Sequence, residues 1–269
     1  MSSVGLVRFA AIAAVLVSTL GGCATSAQGP DESAASSDES EFSVRLGDKA
    51  MRVFVTRPST MRTDTPVVIA LHGISRGAEQ TRAACSPLAS SGWLILAPLF
   101  DKENFPSYNT SRETPERIAS VFAEARRRYG LAATTFVLFG HSGGGQAAHR
   151  ALMNNPLGPY SIVISANSGW YQLPQGAVPT CEAYARRMVL MLGDRDTRGN
   201  DLNVSARASA QGPHRLARGT SFFERARADS SEKQCPVFAW QQIIVPGVGH
   251  QTAGMVAAAM QLPVFTTSR

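Results

Sequence analysis

The 269-residue sequence holds four cysteines and no C-x-x-C pair, which argues against zinc-ribbon or thioredoxin-like chemistry. It lacks G-x-G-x-x-G, because position 142 in its glycine run is serine. It lacks a Walker A motif too, because Gly145 is followed by Gln146 rather than lysine. A phosphate cradle is therefore not indicated. The apolar run Phe9–Leu20 falls short of the roughly 20 residues that span a bilayer as a helix. No internal repeat and no nucleic-acid-binding motif is present. Acidic side chains are scarce over most of the chain: residues 42–269 carry 15 acids against 25 bases, a formal +10. Such a charge favours anionic surfaces electrostatically, although a solvated arginine-rich surface has the same composition.

The N-terminal stretch 1–22 has one positive charge, Arg8, ahead of that apolar run, the pattern of an export signal. Leu20-Gly21-Gly22-Cys23 resembles the bacterial lipobox, in which small residues precede a cysteine that is lipidated and becomes the mature N-terminus. The resemblance implies an exported protein of the cell envelope, anchored to a membrane through Cys23. The alternative is an ordinary secretory signal cleaved near Ala27 and a soluble secreted product. Residues 24–41 are Ser-rich, with five acids, no base and no apolar side chain larger than alanine. That composition cannot offset the entropy of ordering, so residues 23–41 read as a disordered tether.

From residue 42 onward the pattern is that of one globular domain. "EFSVRL" and "AMRVFVTRP" flank "GDK" and predict a β-hairpin. "PVVIALHG", "WLILAPLF", "TTFVLFG", "YSIVISAN", "RMVLMLG" and "WQQIIVPG" are apolar runs of strand length, of the kind buried on both faces. Helices are expected between them. The clearest is "TPERIASVFAEARRRYG", with Thr114 as N-cap, Pro115 in the first turn, Gly130 as terminator, and Ile118, Val121, Phe122 and Ala125 on one stripe. "GAEQTRAACSPLASSG" can supply another, kinked or ended by Pro87. Alternation of strands and helices predicts an α/β domain: a mainly parallel, doubly wound sheet with helices on both faces and the hairpin as an antiparallel edge. The segment Ser168–Arg187 is too short for a large lid domain, and the polar excursion Thr197–Pro213 has no assigned place.

Within this order "GHSGGG" puts Ser142 where a strand ends and a helix begins, and open parallel sheets carry their sites at strand carboxyl ends. The surrounding glycines suit a sharp elbow that exposes a nucleophile. A serine nucleophile needs a base, and the base an orienting acid. His250, in "VPGVGHQT", lies between the last strand and the last helix; His72 sits in another turn, His141 in the elbow itself, His149 and His214 in helices. "MVLMLGDRDT" offers two acids, of which Asp194 suits the turn and Asp196 lies far enough out to reach an imidazole. Oxyanion donors are expected from the N–H groups of Gly143 and of Ile74, after the His72-Gly73 turn.

"LHGISRG", "GHSGGG", "LGDRDT" and "PGVGH" together resemble the α/β-hydrolase superfamily, and within it the esterase branch of polyhydroxyalkanoate depolymerases and dienelactone hydrolases, over roughly residues 50–262. The resemblance implies a serine carboxylic-ester hydrolase with the triad Ser142, Asp196 and His250, no metal and no organic cofactor, acting on a small-molecule or polymeric ester. An acyltransferase using the same acyl-enzyme, and a non-catalytic envelope lipoprotein on a hydrolase scaffold, are the competing readings. Trp170 and Tyr171 follow a strand end, where they could line an acyl pocket or pack in the core. Cys181 and Cys235 each precede a strand and could pair as a disulfide, leaving Cys85 as a buried thiol in a helix.

Overall fold

The computed structural model describes residues 40–132, 135–172, 179–199 and 201–266. The expected signal, Cys23 and nearly all of the expected tether lie outside the described residues. No described helix is long and apolar enough to cross a membrane. The first strand opens at Glu41, the first residue of the run "EFSVRL".

Eight strands form one sheet. β1 (Glu41–Leu46) and β2 (Lys49–Thr56) make the expected hairpin, followed by β3 (Val67–Leu71), β4 (Leu94–Pro98), β5 (Phe136–His141), β6 (Ile162–Ala166), β7 (Met188–Gly193) and β8 (Trp240–Val245). Their spatial order is β1-β2-β4-β3-β5-β6-β7-β8; pairing is antiparallel at β1/β2 and β2/β4 and parallel from β4 onward. Every residue of β3 to β7 is buried, which is why these runs are continuously apolar rather than alternating. β8 keeps solvent contact along its middle.

The pleat divides the core in two. Val67, Ile69 and Leu71 point to a layer filled by α2 (Thr114–Tyr129), α3 (Gly143–Asn154) and α6 (Arg215–Glu232). Val68 and Ala70 point to the opposite layer, filled by α1 (Ala78–Cys85) and α7 (Thr252–Ala259), with Trp93 and Phe265 in contact beneath it. Three short helices complete the set: α4 (Cys181–Ala185), α5 (Ala206–Ser209) and α8 (Pro263–Thr266). α1 stops at Cys85 and the chain continues as a 3-10 turn over Ser86–Ser91, because Pro87 has no N–H for a further α turn. α2 differs from expectation by one residue: Glu113, not Thr114, is its N-cap, and Gly130 closes it in the left-handed conformation.

β7 and β8 are neighbours, and a disulfide joins Cys181, at the start of α4, to Cys235, ahead of β8. Cys85 is a buried thiol whose pKa burial pushes up to about 12, so it carries no thiolate chemistry at neutral pH. The disulfide spans 54 residues, and loop-closure entropy of that length corresponds to about 4 kcal/mol. The Cys181→Ser/Cys235→Ser variant is expected to lose about 2–4 kcal/mol in denaturant titration, with an unchanged far-ultraviolet spectrum under native conditions.

Candidate active site

The site begins with a packing constraint. α3 follows β5 after a single residue, Ser142, and must lie against the ends of β3 and β5. A Cβ on Gly144 would sit 2.1 Å from the Leu71 carbonyl oxygen, and one on Gly140 would sit 2.1 Å from that of Gly144. Only glycine permits this approach. Ser142, between them, takes φ 57° and ψ −118°, a conformation that costs a non-glycine residue roughly 1–3 kcal/mol. The backbone holds it there: its N–H donates to Ala166 O at 2.9 Å, and its carbonyl accepts the Gln146 N–H at 3.0 Å.

His250 Nε2 lies 3.0 Å from Ser142 Oγ, and its Nδ1 lies 2.7 Å from Asp196 Oδ2. Three side chains separated by 54 and 108 residues thus meet at the carboxyl ends of β5, β7 and β8. Asp196 is buried; Asp194 instead accepts the Gly247 N–H at 2.8 Å and closes the turn. The loop bearing His250 is drawn in by Asn167, a residue the sequence reading passed over. Its amide donates to Gly249 O at 2.9 Å, its oxygen accepts the Gly193 N–H at 2.8 Å, and it is fully buried at φ 46°. Side-chain bonds to two strand-end loops are a long-range property, and a lone Asn after a strand reads as a turn.

The loop after β3 lies against Ser142. A Cβ on Gly73 would approach Ser142 Oγ to 3.9 Å, and one on Gly143 would stand 3.1 Å from Ile74 N. The N–H groups of Ile74 and Gly143 therefore converge beside the serine, and neither donates to an acceptor among the described residues. His72 fixes this loop from beneath. Its Nδ1 donates to Gly73 O at 2.7 Å, and its Nε2 accepts the Phe100 N–H at 3.1 Å, which defines the tautomer. Tyr108 donates to His72 O, and Arg76 donates to the carbonyls of Phe100, Phe105 and Pro106 while lying 4.9 Å over the Tyr108 ring.

A cavity of about 510 Å³ opens over Ser142, walled by Ile74, Gln80, Thr81, His141, Thr252 and Arg215 among others. His141 packs 4.7 Å from the His250 ring and shares a 2.9 Å hydrogen bond with Thr252 Oγ1. Arg215 is also new: its side chain is only 5% exposed, with Nη1 3.5 Å from Asp196 Oδ1 and Nη2 donating to Asp201 O at 3.3 Å. A base in the first turn of a helix opposes the helix dipole, and that was the signal available in the sequence. From the excursion after Asp196, Asp201 reaches the cavity. Trp170 and Tyr171 need correction as pocket residues, since neither lines the cavity. Tyr171 is fully buried, stacked on Phe222 at 4.5 Å and beside His149 at 5.1 Å, because α6 covers that strand end. Trp170 lies half-buried under the Arg150 guanidinium.

Burial pushes the pKa of His72 down to about 4 and that of His141 to about 3, the latter helped by the charges of His250 and Arg215. Both rings are neutral in the folded protein at pH 7. An unfolded histidine takes up its proton near 6.5, so these two sites contribute stability above that pH and lose it as pH falls through about 4 and 3. Thermal melts are expected to show Tm falling from pH 6.5 towards pH 4, and neither imidazole should titrate above pH 5 by NMR.

No family model and no curated protein sequence matches the chain. Solved structures do. Poly(aspartic acid) hydrolase-1 from Sphingomonas sp. KT-1 superposes with a TM-score of 0.77 at 27% identity, covering 82% of this chain and 97% of that one. An acetyl xylan esterase from Aspergillus awamori shares the fold with a TM-score of 0.56 at 14% identity, covering 80% and 94%. LpqC, a poly(3-hydroxybutyrate) depolymerase from Bordetella parapertussis, superposes with a TM-score of 0.73 at 30% identity, covering 81% of this chain and 85% of that one. On that identity and coverage, the chain belongs to the α/β-hydrolase family that includes LpqC.

Proposed function

We propose that this protein is a serine hydrolase that cleaves carboxylic esters through Ser142, His250 and Asp196. The observation that carries the reading is the continuous chain of contacts, Ser142 Oγ to His250 Nε2 at 3.0 Å and His250 Nδ1 to Asp196 Oδ2 at 2.7 Å, on a strained strand-to-helix elbow. The relative named as a poly(3-hydroxybutyrate) depolymerase acts on a polyester, which supports an ester-linked oligomer or polymer as substrate class.

The steps follow from the geometry. His250 Nε2 accepts the Ser142 proton as Oγ attacks the ester carbonyl, and the Ile74 and Gly143 N–H groups receive the developing oxyanion. Each such donor is worth about 3 kcal/mol to the transition state. His250 then gives its proton to the leaving alkoxide, and water repeats the sequence to free the acid. Asp196 fixes the tautomer with Nδ1 protonated and stabilises the imidazolium. His72, Arg76 and Tyr108 position the oxyanion loop without touching substrate.

The catalytic domain is residues 42–269, and the chain is proposed to be exported and lipid-anchored at Cys23. The Cys181–Cys235 disulfide supports an oxidising compartment. Acyl transfer to an alcohol would use the same acyl-enzyme, and product analysis with a competing alcohol separates the two outcomes.

Purified protein is expected to hydrolyse short p-nitrophenyl esters, and Ser142→Ala, His250→Ala and Asp196→Asn each to lower kcat about 10³-fold or more with native melting behaviour. Full activity in Ser142→Ala would contradict the mechanism. For the anchor, Cys23→Ser is expected to move the protein from the membrane to the soluble fraction of its bacterial host. Unchanged membrane retention would argue against lipidation there.

A further inference from the structure

Two cavities of about 510 Å³ each meet at His250, and their walls differ in charge. They share three residues: Asp201, Arg215 and His250. The first alone holds Ser142 and the Gly73-Ile74 oxyanion loop, and none of the residues belonging only to it carries a formal charge with His141 neutral. The charged residues belonging only to the second are Arg195, Asp196 and Arg198. Asp196 is buried, with its oxygens turned to His250 and Arg215. Arg195 and Arg198 are exposed, and neither guanidinium has a hydrogen-bond or ion-pair partner among the described residues. Asp194, on the neighbouring turn, is engaged by the Gly247 N–H, and Asp201 stands at the junction of the two cavities. The second cavity therefore presents two unpaired cations at its outer wall.

The direction of the reaction assigns the two halves. The acyl carbonyl must sit between Ser142 Oγ and the oxyanion donors, which places the acyl group in the neutral cavity. His250 protonates the leaving oxygen, so the alcohol fragment departs past the imidazole, towards the cavity that His250 also walls. We propose that this second cavity is the leaving-group subsite and that Arg195 and Arg198 select an alcohol fragment bearing a free carboxylate. The corresponding substrate class is an ester-linked hydroxy-acid oligomer held by its carboxyl end. This rests on the ester-hydrolase reading above.

In the first step the Ser142 Oγ–carbonyl bond forms, the carbonyl–alkoxy bond breaks, and the serine proton passes through His250 to the departing oxygen. The terminal hydroxy acid leaves with its carboxylate unchanged. Water then cleaves the acyl-enzyme, so each turn consumes one water and shortens the oligomer by one unit from its carboxyl end.

The test compares a hydroxy-acid dimer with a free carboxylate against the same dimer capped as the carboxamide, which share one scissile bond. Release of monomer is followed chromatographically. The acid is expected to show a kcat/KM about fivefold higher, the scale of one exposed Arg–carboxylate pair, with the advantage shrinking as salt rises. In the Arg195→Ala/Arg198→Ala variant the acid-to-amide ratio is expected to fall to about one, and in Arg198→Glu below one. Both changes lie on an exposed loop, and a melting curve checks folding. A wild-type ratio of one or less, or a ratio that survives in the double variant, would overturn the subsite. Hydrolysis of p-nitrophenyl acetate is measured in parallel. If it proceeds while the ratio is one, only the subsite fails; if neither dimer nor p-nitrophenyl acetate is turned over, the ester-hydrolase reading fails and the subsite with it.

Discussion

The contact between the first turn of α3 and the Leu71 carbonyl governs where everything in the site lies. No side chain fits between them, so position 144 must be glycine; the Gly144 carbonyl in turn leaves no room for a side chain at 140, and the chain between β5 and α3 has to turn at the single residue Ser142. That turn leaves Ser142 in a conformation disfavoured for any residue with a Cβ, its side chain projected towards the loops at the strand ends. The strain is held in place because Ser142 is bonded on both sides, to β6 through Ala166 and to its own helix through Gln146. A looser packing of α3 would relax the elbow and withdraw the hydroxyl from His250.

The other loops are fastened to this fixed point by buried polar groups. Asn167 ties the turn after β7 to the loop after β8, so the acid and the base are adjusted together. His72, Tyr108 and Arg76 tie the loop after β3 to the chain beyond β4. Each of these side chains is hydrogen-bonded to backbone, which holds the loops in one arrangement. The neutral state of His72 and His141 belongs to the same design: a protonated ring at either place would face burial with too few acceptors.

Much of this was legible in the sequence, for definable reasons. The parallel strands are buried on both faces and so stand out as unbroken apolar runs, and the Ser142 elbow is a local pattern whose glycines have one physical explanation. Asp196 and His250 could be chosen because strand ends converge in such a sheet, and the structure brings both to Ser142. What was not legible depends on contacts across the fold. Asn167 and Arg215 look like an ordinary turn residue and an ordinary basic helix residue until β7, β8 and α6 are assembled around them. Tyr171 was open to a pocket reading because it follows a strand, yet α6 covers that end and buries the ring against Phe222. The polar excursion after Asp196 had no periodicity to read; Asp201 and Asn203 are held through their carbonyls by Arg215 and Arg218, and Gln211 pairs through its side chain with the Tyr171 backbone.

The central claim is that Ser142 is an activated nucleophile. The most direct measurement is reaction of the purified protein with a fluorophosphonate probe, the adduct being located by mass spectrometry of the digested chain. The account predicts one adduct, on Ser142, formed at a rate that falls sharply when His250 is replaced by alanine. No labelling of well-folded protein, or an adduct on another residue that persists in the Ser142→Ala variant, would contradict it.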